Sequence, residues 1–172
     1  GVELSGADSI GRWRCGEVYV LFGPIAPGTS VDLAATTPGI VIRGRAPDDR
    51  MGASVMVADV DGDGRDDLVT CSSGHDETAQ GNNDGRVDVF FGSAGGIAAT
   101  PAWTEESDVA GVQFGRAAGS AGDVNGDGYA DLIVGAPYGQ GATHVYLGSP
   151  AGLSTDPALT VEGQVDARFG WS

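Results

Sequence analysis

A chain of 172 residues, 41% hydrophobic and 19% charged, is long enough to bury a sizeable core and too apolar to be disordered. All nine basic residues are arginine against 24 acidic ones, and the resulting net charge of −15 excludes nucleic acid as a partner, because neutralising phosphates needs a basic face. No apolar run approaches the roughly 18 residues of a membrane-crossing helix, so no membrane insertion is expected.

The acid excess points to cation binding or to solubility, and 30 glycines point to many turns. No charged-then-apolar leader opens the chain, so any targeting segment is expected to have been removed or to lie outside it. Cys15 and Cys71 allow one disulfide, or are two small buried residues.

In chain order, Gly6-Ala7 is followed by the alternating segment EVYVLFG from Glu17, which reads as a strand ending in a Gly-rich turn. Strands are then predicted over 54–58, 68–71, 86–91 and 102–105. Residues 113–137, QFGRAAGSAGDVNGDGYADLIVGAP, repeat the plan of residues 50–73, with Phe114 on Met51 and Asp123 on Asp59. THVYLGSPAG from Thr143 repeats RVDVFFGSAGG from Arg86, and Phe169-Gly170 begins the plan once more. No segment carries a sustained helical period with caps. Four strands per unit of about 60 residues is the blade of a β-propeller. The expected division is 1–50 for the C-terminal part of one blade, 51–113 and 114–168 for complete blades, and 169–172 for the start of another.

Between the first two strands of each complete unit lies an acidic loop. Asp59, Asp61, Asp63 and Asp67 stand at positions 1, 3, 5 and 9 of the first, and Asp123, Asn125, Asp127 and Asp131 at the same positions of the second. Position 7, Arg65 or Tyr129, offers a backbone carbonyl. Calcium takes six to eight such oxygens, and magnesium fits a carboxylate-rich protein cage less well. Gly64 and Gly128 at position 6 permit the positive φ of a sharp reversal. An EF-hand would carry an acid at position 12, where this chain has Thr70 and Val134. Two Ca²⁺ sites are therefore expected, with Asp66 turned to solvent.

Phe114-Gly115 followed by Gly135-Ala136-Pro137, with the Asp-rich loop between, resembles the FG-GAP repeat of integrin α-subunit propellers and their bacterial relatives. The first copy departs from the pattern at Met51 and at Cys71-Ser72-Ser73. The resemblance implies an all-β fold of four-stranded antiparallel blades, with the metal loops on a lower face and partners engaging the loops of the upper face. Those upper loops are 8–16, 74–85 and 138–142. The middle one would present His75, Asp76, Glu77, Asn82 and Asn83, and Tyr138 opens the last; these are the candidate ligand-binding residues.

Ser72, Ser73, His75 and Asp76 include the residue types of a hydrolytic triad, but side chains this close in one loop rarely reach triad geometry, and no GxSxG, HExxH or phosphate loop is present, so no enzyme is expected. Trp13, Trp103 and Trp171 either stack on sugars or pack between blades, and His144 reads as a satisfied strand residue.

Propellers close with about 4 to 8 blades and this chain holds fewer than three, an incomplete propeller. The missing blades are expected from the same parent chain or from other copies, since unpaired blade edges invite aggregation. The functional expectation is a secreted, periplasmic or cell-surface module, stiffened by calcium, that binds a protein or glycan ligand in adhesion or scaffolding. A propeller lectin and a non-catalytic part of a secreted hydrolase are the alternatives.

Overall fold

The computed structural model describes residues 14–33, 39–76, 82–164 and 168–171, and these contain no helix. β1 (Glu17–Val20) and β2 (Ile40–Arg43) form an antiparallel pair. Next come β3 (Met51–Ala58), β4 (Asp67–Ser72) and β5 (Arg86–Phe90), then a small hairpin of β6 (Gly92–Ser93) and β7 (Gly96–Ile97), then β8 (Trp103–Glu106). β9 (Ala117–Gly122), β10 (Asp131–Ala136), β11 (Ala142–Tyr146) and β12 (Leu159–Glu162) complete the order. The two four-stranded sheets, β3-β4-β5-β8 and β9-β10-β11-β12, are antiparallel throughout and are propeller blades.

β3 is longer than its alternation suggests. Its pairing steps from Met51↔Ser72 to Ser54↔Cys71, so a bulge interrupts the period-2 pattern that marks the strand in sequence. β4 gains Asp67 and Ser72 over the expected range, β5 ends at Phe90, and β8 lies one residue later than expected.

Burial follows position in the blade. Every residue of β4 and β5 is buried, whereas β12, an outer strand, is exposed along its length. The β3-β4-β5-β8 blade is covered on both faces, so the alternate residues of β5 enter two different environments. Val87 and Val89 join the main core with Val60, Val69, Leu132, Val134 and Tyr146, which belongs to both complete blades. Phe90 turns the other way, to Val18, Met51 and Leu68 under the β1–β2 sheet.

One seam recurs between units. A Cβ on Gly16 would lie 2.2 Å from the Met51 carbonyl oxygen, one on Gly85 2.2 Å from that of Phe114, and one on Gly141 3.0 Å from that of Phe169. All three glycines have positive φ, +74°, +91° and +73°, and only a residue without a side chain lets the next unit's backbone approach so closely. Met51 thus occupies the same place as Phe114 and Phe169. Cys15 and Cys71 are buried and are not bridged to each other; burial, with Asp88 nearby, pushes the Cys71 thiol up to about 12.

Candidate metal loops and the opposite rim

Residues 59–67 connect β3 to β4, and their acidic side chains first organise the loop's own backbone. Asp59 accepts from the amides of Gly62 (2.8 Å) and Gly64 (2.9 Å), Asp61 from that of Asp63 (3.1 Å), and Asp63 from that of Arg65 (2.9 Å). Asp67 is fully buried, with one carboxylate oxygen on the Val60 amide at 3.0 Å and the other on the Gly92 amide at 2.8 Å. It therefore ties the base of the loop to β6.

The second loop, between β9 and β10, repeats this pattern. Asp123 accepts from Gly126 (2.7 Å), Asp127 (3.0 Å) and Gly128 (2.8 Å), and buried Asp131 from Val124 (2.7 Å) and Gly148 (2.8 Å). Gly64 and Gly128 have φ of +83° and +94°. The anchoring role of position 9 is missed by sequence reasoning; its signal is the Gly-Ser pair that recurs at Gly92-Ser93 and Gly148-Ser149.

In the first loop Asp59, Asp61 and Asp67 each bring an oxygen within 4.8 Å of the others. That is the span a cation with ligand distances of about 2.3–2.6 Å bridges, so these residues fit calcium. Burial, together with the charges of Asp61 and Asp59, pushes the Asp67 carboxyl above the usual range against the pull of its two amide donors. Asp63 instead turns its second oxygen to the Arg65 guanidinium at 3.2 Å, and Asp66 is exposed. In the second loop the amide of Gly128, followed by those of Gly126 and Asp127, holds Asp123 below the usual range. Asn125 donates its side-chain amide to Asp127 at 2.8 Å.

The two loops touch. A Cβ on Gly62 would lie 2.4 Å from the Tyr129 ring, and the backbone amides of Ala130 and Ser149 donate to the carbonyls of Asp59 (3.3 Å) and Val60 (3.2 Å).

At the opposite end of the blades, His75 is not presented to solvent as the sequence suggests. It is 9% exposed, its Nδ1 is 3.0 Å from Asp49 and its Nε2 is 3.5 Å from Glu106. Its orienting carboxylate is Asp49 rather than Asp76, and Glu106 occupies the side where a triad would hold its nucleophile. Ser72 instead points at the Met51 sulfur, 3.6 Å away.

Arg86 lies beside this histidine, bonded to Asp88 through Nη2 at 2.6 Å and to Glu106, while Thr104 donates to Asp88 at 2.7 Å. This buried ionic group is also absent from the sequence reading, because alternation in RVDVF places Arg86 and Asp88 on a polar face without showing that this face is buried.

Asp76 accepts from the Asn82 amide at 2.8 Å, and the Asn83 carbonyl accepts from Gln113 at 3.1 Å. The Tyr138 ring lies 5.7 Å from Trp171. Trp103 is core, whereas Trp171 is 37% exposed. His144 pairs with Thr160 at 3.1 Å and sits edge-on to Phe114. Trp13 and Glu77 lie outside the described residues, as does much of the 8–16 loop.

The family model for the FG-GAP repeat matches residues 51–96 and 114–147. The chain is similar to integrin alpha-PS2 of Drosophila melanogaster, 37% identical over 134 residues covering 72% of this chain, and to integrin alpha pat-2 of Caenorhabditis elegans, 39% identical over 65% of it. Integrin alpha-6 of Gallus gallus is 34% identical over 70% of it. The chain spans about a tenth of the length of these curated relatives, 10%, 10% and 11% respectively.

Proposed function

We propose, from the FG-GAP repeats matched over residues 51–96 and 114–147 and the similarity to integrin α-subunits, that this chain is a calcium-stabilised, non-catalytic propeller module that binds a protein or glycan outside the cell. The observation that carries the metal reading is the convergence of Asp59, Asp61 and Asp67 within 4.8 Å at a loop whose hydrogen-bond plan recurs in the next blade. Asp59, Asp61, Asp63 and Asp67 with the Arg65 carbonyl would hold one Ca²⁺, and Asp123, Asn125, Asp127 and Asp131 with the Tyr129 carbonyl the other. Bound there, Ca²⁺ would supply positive charge and a rigid node, with no part in bond-making chemistry.

Residues 51–113 and 114–168 act as complete blades, 1–50 as the end of a preceding one and 169–172 as the start of a following one. Further blades, from the same parent chain or other copies, complete the ring. Extracellular calcium is abundant enough for modest-affinity sites, which supports a secreted, periplasmic or cell-surface setting.

Calcium at a hundred times its dissociation constant adds about 2.7 kcal/mol of stability per occupied site. For a domain of this size that raises the melting temperature by roughly 5–10 °C. Scanning calorimetry after exhaustive EDTA dialysis should show the loss and calcium its recovery, while Asp67→Asn with Asp131→Asn should abolish the response. An unchanged melting curve in EDTA refutes the metal reading.

A further inference from the structure

The described arginines fall into two sets. Arg43, Arg45, Arg65 and Arg86 each lie against a carboxylate, of Glu17, Asp88, Asp63, and Asp88 with Glu106. Arg14, Arg50, Arg116 and Arg168 have no carboxylate partner among the described residues, in a chain of net charge −15.

Three of these four share one cavity, and the fourth meets them at a tryptophan beside it. Arg14, Arg50 and Arg116 line a single cavity of about 460 Å³ with Ser73, Gln113 and Tyr138. Arg116 and Arg168 both lie over the ring of Trp171, at 4.9 and 5.2 Å, and Trp171 is the neighbour of Tyr138. Arg50 and Arg168 directly precede Met51 and Phe169, and Arg116 directly follows Gly115, so the repeated start of each unit delivers its guanidinium to the same rim. The Arg50 amide donates to the Arg14 carbonyl at 3.2 Å, which fixes the preceding unit beside it. Arg14, Arg50, Gln113 and Arg168 have φ of +53°, +56°, +54° and +51°, so tight left-handed turns carry all four residues.

We propose that this cavity is an anion-binding site that takes the carboxylates of an acidic peptide segment. Guanidinium forks match carboxylates in a bidentate manner, and the Tyr138 ring lines the same cavity and offers an apolar face to the stem of a bound side chain. The cavity is of small-ligand size, enough for one or two side chains. The field of a strongly acidic protein repels long polyanions yet leaves a local basic pocket free to hold a short segment. The site shares no residue with the metal loops, so it stands or falls separately from the calcium reading.

The test uses the full chain in calcium buffer, with fluorescence anisotropy of a labelled, end-blocked hexaglutamate peptide and a hexaglutamine control. Hexaglutamate should bind saturably and more weakly as NaCl rises, and hexaglutamine should not bind. Arg50→Gln with Arg116→Gln should weaken binding at least about tenfold. Arg43→Gln with Arg45→Gln, which removes the same two charges elsewhere, should leave it within about twofold. Arg14→Gln, at an exposed position, serves if the Arg50 and Arg116 double variant does not fold. Equal binding of the two peptides, or unchanged affinity in both the double variant and Arg14→Gln, overturns the site. Saturable binding of inorganic sulfate without hexaglutamate binding overturns the peptide assignment.

Discussion

His75 sits between two carboxylates, Asp49 at 3.0 Å and Glu106 at 3.5 Å, with Arg86 also facing it. The hydrogen bond to Asp49 is the largest influence and raises its pKa against the opposing effects of burial and of Arg86. A histidine whose folded pKa exceeds its unfolded value of about 6.5 contributes stability that is full below that value and is lost as pH rises through the folded one. His75→Gln should therefore cost about 1–3 kcal/mol at acidic pH. The difference in melting temperature from wild type should be clearly larger at pH 5.5 than at pH 9, and equal losses at both would show that His75 is neutral throughout. His75 is legible in the sequence only as a polar loop residue. Asp49 is distant along the chain, and only folding brings it to the ring.

At the scale of elements, β8 is the outermost strand of its blade and would be expected to contribute little to the core. Trp103, at its start, is nevertheless 9% exposed, edge-on to Tyr146 at 5.1 Å, and its indole N–H donates to the Ser154 carbonyl at 3.1 Å. β8 is thus tied to the loop after β11 in the neighbouring blade. Trp103→Ala should destabilise by about 3–5 kcal/mol in urea titration. Trp103→Phe, which keeps the ring contact and drops the hydrogen bond, should cost about 1 kcal/mol. Val161→Ala on exposed β12 is the comparison, expected within about 0.5 kcal/mol. A loss for Trp103→Ala no larger than that of Val161→Ala would remove Trp103 as a tie between blades.

Across the whole molecule, the blades are joined at their first strands and at the glycine seam. Ser54 on β3 accepts from the Ala118 amide on β9 at 3.2 Å, and the Phe114 amide donates to the Asp84 carbonyl at 2.9 Å. At Gly85 a Cβ would stand 2.2 Å from the Phe114 carbonyl oxygen, a backbone atom that moves only if the next blade does. Gly85→Ala should cost more than about 2 kcal/mol through strain and lost docking. Hydrogen exchange should then show β9 to β12 exposed ahead of β3 to β8. Gly95→Ala, whose nearest neighbour is the Ser93 hydroxyl at 3.7 Å, should be tolerated. Equal stability of the two variants would show that the seam yields freely.

The amino-acid sequence by itself determined the β class, the repeat register of Met51 with Phe114, and the two acidic loops at equivalent strand junctions, because each is local. Period-2 alternation marks a strand, and a glycine among aspartates marks a reversal, whatever the surroundings. Only the tertiary structure decided what covers each face. Arg86 and Asp88 alternate with valines as solvent-facing residues would, yet both are buried, on the face of β5 whose Phe90 packs against Val18, Met51 and Leu68. The contact between the Tyr129 ring and Gly62, and the meeting of Arg14, Arg50 and Arg116 around one cavity, are likewise set by how units stack. Strand patterning holds no information about stacking partners far away along the chain, and it is there that the ion pairs, the buried histidine and the basic rim arise.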